Sequence, residues 1–199
     1  MDGSAHPSDA SARRAARLAV AQALRGSGLD WAALSACPPW LAAAPAAREQ
    51  LCAHAGAWWL AASLRACIDG RRLARVYDLL GEARLNALRA SPDIARAQAL
   101  NQAPQPLLPP DDDMPQHLMA CGRALLAWSL PALPRPAVLQ HLGWRIDERH
   151  YDAFAAHAAW AAHALQAVLS DAPPAQPEQA AEPPDEVADA RVEEYEIDS

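Results

Sequence analysis

The sequence predicts an all-α protein: a single irregular helical bundle with Pro-rich connectors, followed by a disordered acidic C-terminal tail. Three observations carry this. Alanine is abundant, only eight Gly occur in 199 residues, and β-branched residues are few, a bias that favours helix over sheet. Eighteen Pro fall between apolar stretches of helical period rather than inside them. No alternating run is long enough to be read as a strand.

Taken in order, the first helix spans about Asp9 to Leu24, with Ser8 or Asp9 as N-cap and Gly26 as the stop. A short turn of helix holds Trp31 and Leu34, and Pro38-Pro39 then breaks the chain directly ahead of Trp40 and Leu41. A second helix starts near Pro45, a good first-turn residue, and is expected to run unbroken to Asp69-Gly70. Leu51, Ala55, Trp58 and Ala62 line one side of it, and Leu60, Leu64, Cys67 and Ile68 another. A helix apolar on several sides belongs at the centre of a bundle.

From Arg71 to Leu80 the third helix aligns Leu73, Val76 and Leu80. Gly81 interrupts it, and Leu85 and Leu88 resume the stripe. Ser91-Pro92 opens another short helix, with Asp93 in its first turn. Residues 101–115, NQAPQPLLPPDDDMP, form a long connector, and its three Asp read as a solvated loop or as a cap for the next helix. That helix, Pro115 to Leu130, spaces Leu118, Cys121, Leu125 and Trp128 by 3, 4 and 3, and Pro131, Pro134 and Pro136 come after it. The last helix, Asp147 to Leu169, carries a heptad-like seam of Tyr151, Phe154, Ala158, Ala161, Leu165 and Val168, read as packing within the bundle. Trp160 lies off that seam, roughly opposite Tyr151.

The chain divides near residue 170. Residues 171–199 hold ten acids and one Arg, a net charge of −9. The whole chain is −7, so residues 1–170 carry +2. With so little large apolar surface the tail is expected to be disordered, leaving 1–170 as the helical domain.

All 17 basic residues are Arg, which most simply reflects a GC-rich genome. The missing Lys excludes a P-loop of the usual form and a Schiff-base lysine. Cys37, Cys52, Cys67 and Cys121 are spaced by 15, 15 and 54 residues, match no zinc module, and read as small core hydrophobes in a reducing compartment. The N-terminal stretch lacks the order of a signal peptide. The longest charge-free helical run, Gln50 to Leu64, is 15 residues, too short to span a bilayer. A cytoplasmic location is expected.

Catalytic patterns are not found. His150 and His157 share a helix face, but at i and i+7 they stand about 10 Å apart along the axis, too far for one metal. No G-x-S-x-G, G-x-G-x-x-G or HExxH occurs. The basic clusters at 13–17 and 70–75 are short, so nucleic acid is not expected as a partner. No catalytic residue, metal ligand or cofactor is therefore expected. The candidate partner-binding residues are Trp40, Leu41, Trp144 and Trp160, because an exposed Trp offers large contact area at low entropic cost. The alternative is a small ligand-binding or enzymatic bundle with His54, His117 or His157 in an internal pocket.

Three segments resemble the SctK family (YscK/PscK-like), accessory proteins of the type III secretion sorting platform. PWLAAA at 39–44 is similar to that family's early Trp-Leu segment. LLGEARLNALRASPD at 79–93 resembles its Leu-Gly step and leucine-spaced helix, and HLGWRIDERHYDAF at 141–154 resembles a second such step. The resemblance covers roughly residues 31–169 and does not extend to the acidic tail. It implies a non-enzymatic adaptor, peripheral to the inner-membrane secretion apparatus and not inserted in the membrane. That adaptor would link the cytoplasmic domain of the inner-membrane ring to an SctQ-type pod protein. On this reading the Pro-braced Trp40 is a preorganised surface knob.

Overall fold

The computed structural model describes residues 7–170; the acidic tail and the expectation of its disorder lie outside the described residues. Among the described residues the fold is entirely helical, with eleven α-helices and no strand. They are α1 (Pro7–Ala23), α2 (Trp31–Ala36), α3 (Pro45–Trp59), α4 (Ala61–Ala66), α5 (Gly70–Leu80) and α6 (Glu82–Ala90). The series continues with α7 (Pro92–Ala99), α8 (Met114–Trp128), α9 (Arg135–Leu142), α10 (Arg149–Ala156) and α11 (Ala158–Ser170).

The centre is the pair α3 and α8. Buried residues run continuously along α3 from Leu51 to Ala57, as a helix apolar on several sides requires. Gly56 on α3 and Gly122 on α8 make the contact. A Cβ at Gly56 would collide with the Leu118 carbonyl, and one at Gly122 with the Cys52 carbonyl. The two backbones touch because neither residue has a side chain there. Around this pair stand α10 and α11 on one side, α5 on another, and the α4, α6 and α7 group at the far end of α3. The four Cys are buried and unbridged, as expected of small core residues.

Several helix ends are closed by arginine. Arg48 donates to the carbonyls of Leu41 (3.1 Å) and Ala43 (2.9 Å), joining the Pro39–Ala42 3-10 turn to α3. Arg65 donates to the Arg89 carbonyl (2.6 Å) at the end of α6 and to that of Ser91 (3.3 Å). Arg135 donates to the carbonyls of Leu130 (2.7 Å) and Trp128 (3.4 Å) past the end of α8. Each guanidinium serves two carbonyls at or beside a helix end.

Three boundaries differ from expectation. The helix expected over Pro45 to Gly70 breaks at Leu60 (φ −89°, ψ 7°) into α3 and α4, and Ile68, beyond the end of α4, stands 98% exposed. The last helix breaks at His157 (φ −123°, ψ 43°), whose Nδ1 lies 3.2 Å from the Gln102 carbonyl of the Pro-rich connector. Ala158 drops out of the seam and is exposed, whereas Phe154, Ala161, Leu165 and Val168 are buried as expected, joined in α11 by Trp160 and Ala164. Finally, the prolines after α8 hold a further helix, α9, with Pro136 in its first turn. The three Asp at 111–113 form a 3-10 turn leading into α8, where Asp112 pairs with Arg75 at 3.0 Å.

Candidate interaction surface

The residues chosen as surface anchors are mostly core residues, which corrects the expectation. Trp40 is 6% exposed, Leu41 is fully buried and Trp160 is 4% exposed. The reason for Trp40 lies in Pro38-Pro39: the pair sets extended backbone at Pro38 and then a 3-10 turn, and that turn lays Trp40 and Leu41 inward beneath α1. Trp40 stacks on Trp144 with ring centroids 5.9 Å apart and planes 8° from parallel. Trp144 is only half-buried and forms the outer layer of the stack. Trp160 is buried at the start of α11, beside the seam. Its indole Nε1 donates to the Trp59 carbonyl (3.4 Å), and its ring packs beside Trp58 and His163.

The large apolar side chains that do reach the surface sit elsewhere. Ile68, Leu107 and Leu133 are 98%, 96% and 92% exposed. All three lie on connectors: after α4, between the prolines ahead of α8, and between α8 and α9. Trp31 is exposed as well, as the first residue of α2, where the Asp30 carboxylate caps the helix by accepting from the Ala33 N–H (2.7 Å). Sequence reasoning missed these residues because it sought aromatic anchors behind prolines. The available signal was a lone Leu or Ile inside a Pro-rich or charged connector, outside any helical stripe.

The connectors are held firmly. Ser63 on α4 donates through its Oγ to the Pro106 carbonyl (2.8 Å), and Gln98 on α7 donates to the Ala62 carbonyl (2.8 Å). Leu107 is thus presented by a segment anchored one residue away.

The histidines named in the alternative reading lie on separate elements. His54 is buried on α3. His157 is engaged by Gln102 and stands edge-on to Trp59. His117 on α8 is coupled instead to His150 on α10, which stacks on Phe154. Burial, with the His150 charge second, pushes the His117 imidazole below its ordinary value. Burial lowers His150 too, with Asp147 opposing. The Cys121 thiol, 3.7 Å from His117 Nε2, is pushed up to about 12 by burial and stays a neutral thiol. Among the described residues no group of three or more His, Cys, Asp or Glu is placed to hold a metal ion, and no helix is long and apolar enough to cross a membrane.

Set against protein-family models, curated proteins and solved structures, the chain matches none of them.

Proposed function

We propose that this chain is a non-enzymatic adaptor that works by presenting shaped apolar surface to protein partners. The observation that carries the reading is the near-complete exposure of Ile68, Leu107 and Leu133 on tethered connectors outside a finished core. Burying such a side chain against a partner is worth about 1.5–3 kcal/mol, so three of them can supply much of a micromolar contact.

The more specific assignment is to the cytoplasmic sorting platform of a type III secretion system, between the inner-membrane ring and an SctQ-type pod protein. It rests on the resemblance of residues 39–44, 79–93 and 141–154. Two features favour treating these segments together. Trp40 of the first stacks on Trp144 of the third. Both Leu-Gly steps also end a helix on a glycine of positive φ, 79° at Gly81 and 66° at Gly143.

The test is co-elution of the purified chain with the cytoplasmic domain of the ring protein and with the pod protein of the same organism. The expected result is a complex with both, lost in an Ile68→Ser/Leu107→Ser/Leu133→Ser variant whose melting temperature is unchanged. Absence of binding to either component removes the secretion assignment. Full binding by the triple variant removes the connector surface from the account.

A further inference from the structure

The outer face of α1 is basic. Arg14, Arg17 and Leu18 are exposed there, and Arg25 is exposed in the turn just beyond the helix. Arg14 and Leu18 lie one turn apart on the side away from the buried Val20, Arg25 follows in the turn beyond the helix, and Arg17 flanks them toward the buried Leu24. From Ala10 to Leu29 the sequence contains no Asp or Glu. Among the described residues Arg14, Arg17 and Arg25 make no ion pair, whereas Arg72 and Arg75 of the other basic cluster are paired with Asp69 and Asp112.

The acidic segment of the same chain follows Ser170, the last residue of α11. Trp160, in the first turn of α11, bonds the carbonyl of Trp59, the last residue of α3, and α11 then packs along α3. It must therefore run antiparallel to α3, carrying Ser170 toward the α3 N-terminus at Pro45. That N-terminus comes directly after the 3-10 turn Pro39–Ala42, and α1 lies against this turn. The 29 residues that follow Ser170 span up to about 95 Å when extended, enough to reach α1 from the end of α11.

We propose that residues 171–199 dock in cis on the outer face of α1, their carboxylates meeting Arg14, Arg17 and Arg25. The segment carries −9 and the rest of the chain +2. The exposed arginines of α1 offer that segment a basic face of opposite charge. The contact is electrostatic and salt-sensitive, and it covers Leu18 along with the arginines. It is independent of the partner assignment above.

The absence of Lys from the chain provides a direct test on the full-length protein. Arg17→Lys keeps the charge and creates the one side-chain amine available for zero-length carbodiimide coupling to carboxylates. Gln50→Lys, exposed on α3 near the departure point, is the control. Tethering alone raises the local tail concentration around both amines, and more around the nearer Lys at position 50. Docking predicts the reverse: coupling of Arg17→Lys to tail peptides about fivefold above that of Gln50→Lys, independent of protein concentration and abolished at about 1 M salt. Equal or greater coupling at position 50 overturns the proposal. So does coupling that appears only between molecules. So does binding of phosphatidylserine vesicles or duplex DNA through Arg14, Arg17 and Arg25 without any preference of the tail for position 17, which would assign the face to an external polyanion.

Discussion

Trp40 shows how one residue can be placed correctly in the chain and wrongly in space. The sequence marks it as braced by two prolines, and that bracing is present, but it turns the indole inward onto Trp144. Its Nε1 is buried without a hydrogen-bond partner, so the ring contributes through area and stacking alone. Two substitutions separate these terms. Trp40→Ala opens a cavity between α1 and α9's flank and should cost about 3–5 kcal/mol in chemical denaturation. Trp40→Phe removes the unpartnered N–H and keeps a stacked ring, and should cost under about 1.5 kcal/mol. Near-equal losses would show that the indole is not packed as described. Trp31 provides the contrast: it is 57% exposed, and Trp31→Ala should stay within about 0.5 kcal/mol of the parent.

At the level of elements, what the sequence disclosed and what it withheld have separate physical causes. Helix starts were legible at the first-turn prolines Pro45 and Pro92, whereas α1 opens at Pro7, ahead of the Ser8 or Asp9 expected as its cap, and the Asp30 cap of α2 went unread. The buried character of α3 was legible from its all-round apolar surface. The breaks at Leu60 and His157 were not, because neither residue is Gly or Pro. Leu60 is fully buried and His157 is engaged by a carbonyl 55 residues away, so both breaks are set by tertiary contacts. Trp160 was misread because burial in α11 is wider than the expected seam and takes in Trp160 and Ala164 as well. The glycines of the central crossing were equally silent, since a mid-helix Gly signals nothing until its neighbour is known. Gly56→Ala and Gly122→Ala each drive a methyl into a backbone carbonyl that cannot swing aside, and should each cost about 3 kcal/mol or more, at the upper end of overpacking losses. An exposed glycine such as Gly70 should accept Ala with no such loss. The arginine clamps make a second prediction at this scale. Arg135→Lys retains the charge but not the fork that reaches both Leu130 and Trp128, and should cost about 1–2 kcal/mol in thermal or urea unfolding.

For the molecule as a whole, the joint between α8 and α10 makes stability depend on pH. Phe154 of α10 inserts edge-on against Trp59 of α3 and Trp128 of α8, so α10 is fastened to the centre through aromatic rings. His150 stacks on the other side of Phe154, and His117 faces it from α8. Both imidazoles are held below their ordinary value of 6.5, first by burial and, for His117, then by the charge of His150. Asp147 pulls His150 the other way without reversing the shift, and the neighbouring Cys121 thiol carries no charge at these pH values. A histidine whose pKa is lower folded than unfolded binds fewer protons in the native state between those two values, so stability increases with pH across that window. The contribution is therefore complete above about pH 6.5 and is lost as pH falls from there toward the folded values. The melting temperature should decline between pH 7.5 and 5.5, before carboxylates begin to protonate. In a His117→Gln/His150→Gln variant that decline should be markedly shallower, whatever its absolute stability. Parallel pH profiles for parent and variant would show that the two imidazoles titrate freely and that α10 is held by its aromatic rings alone.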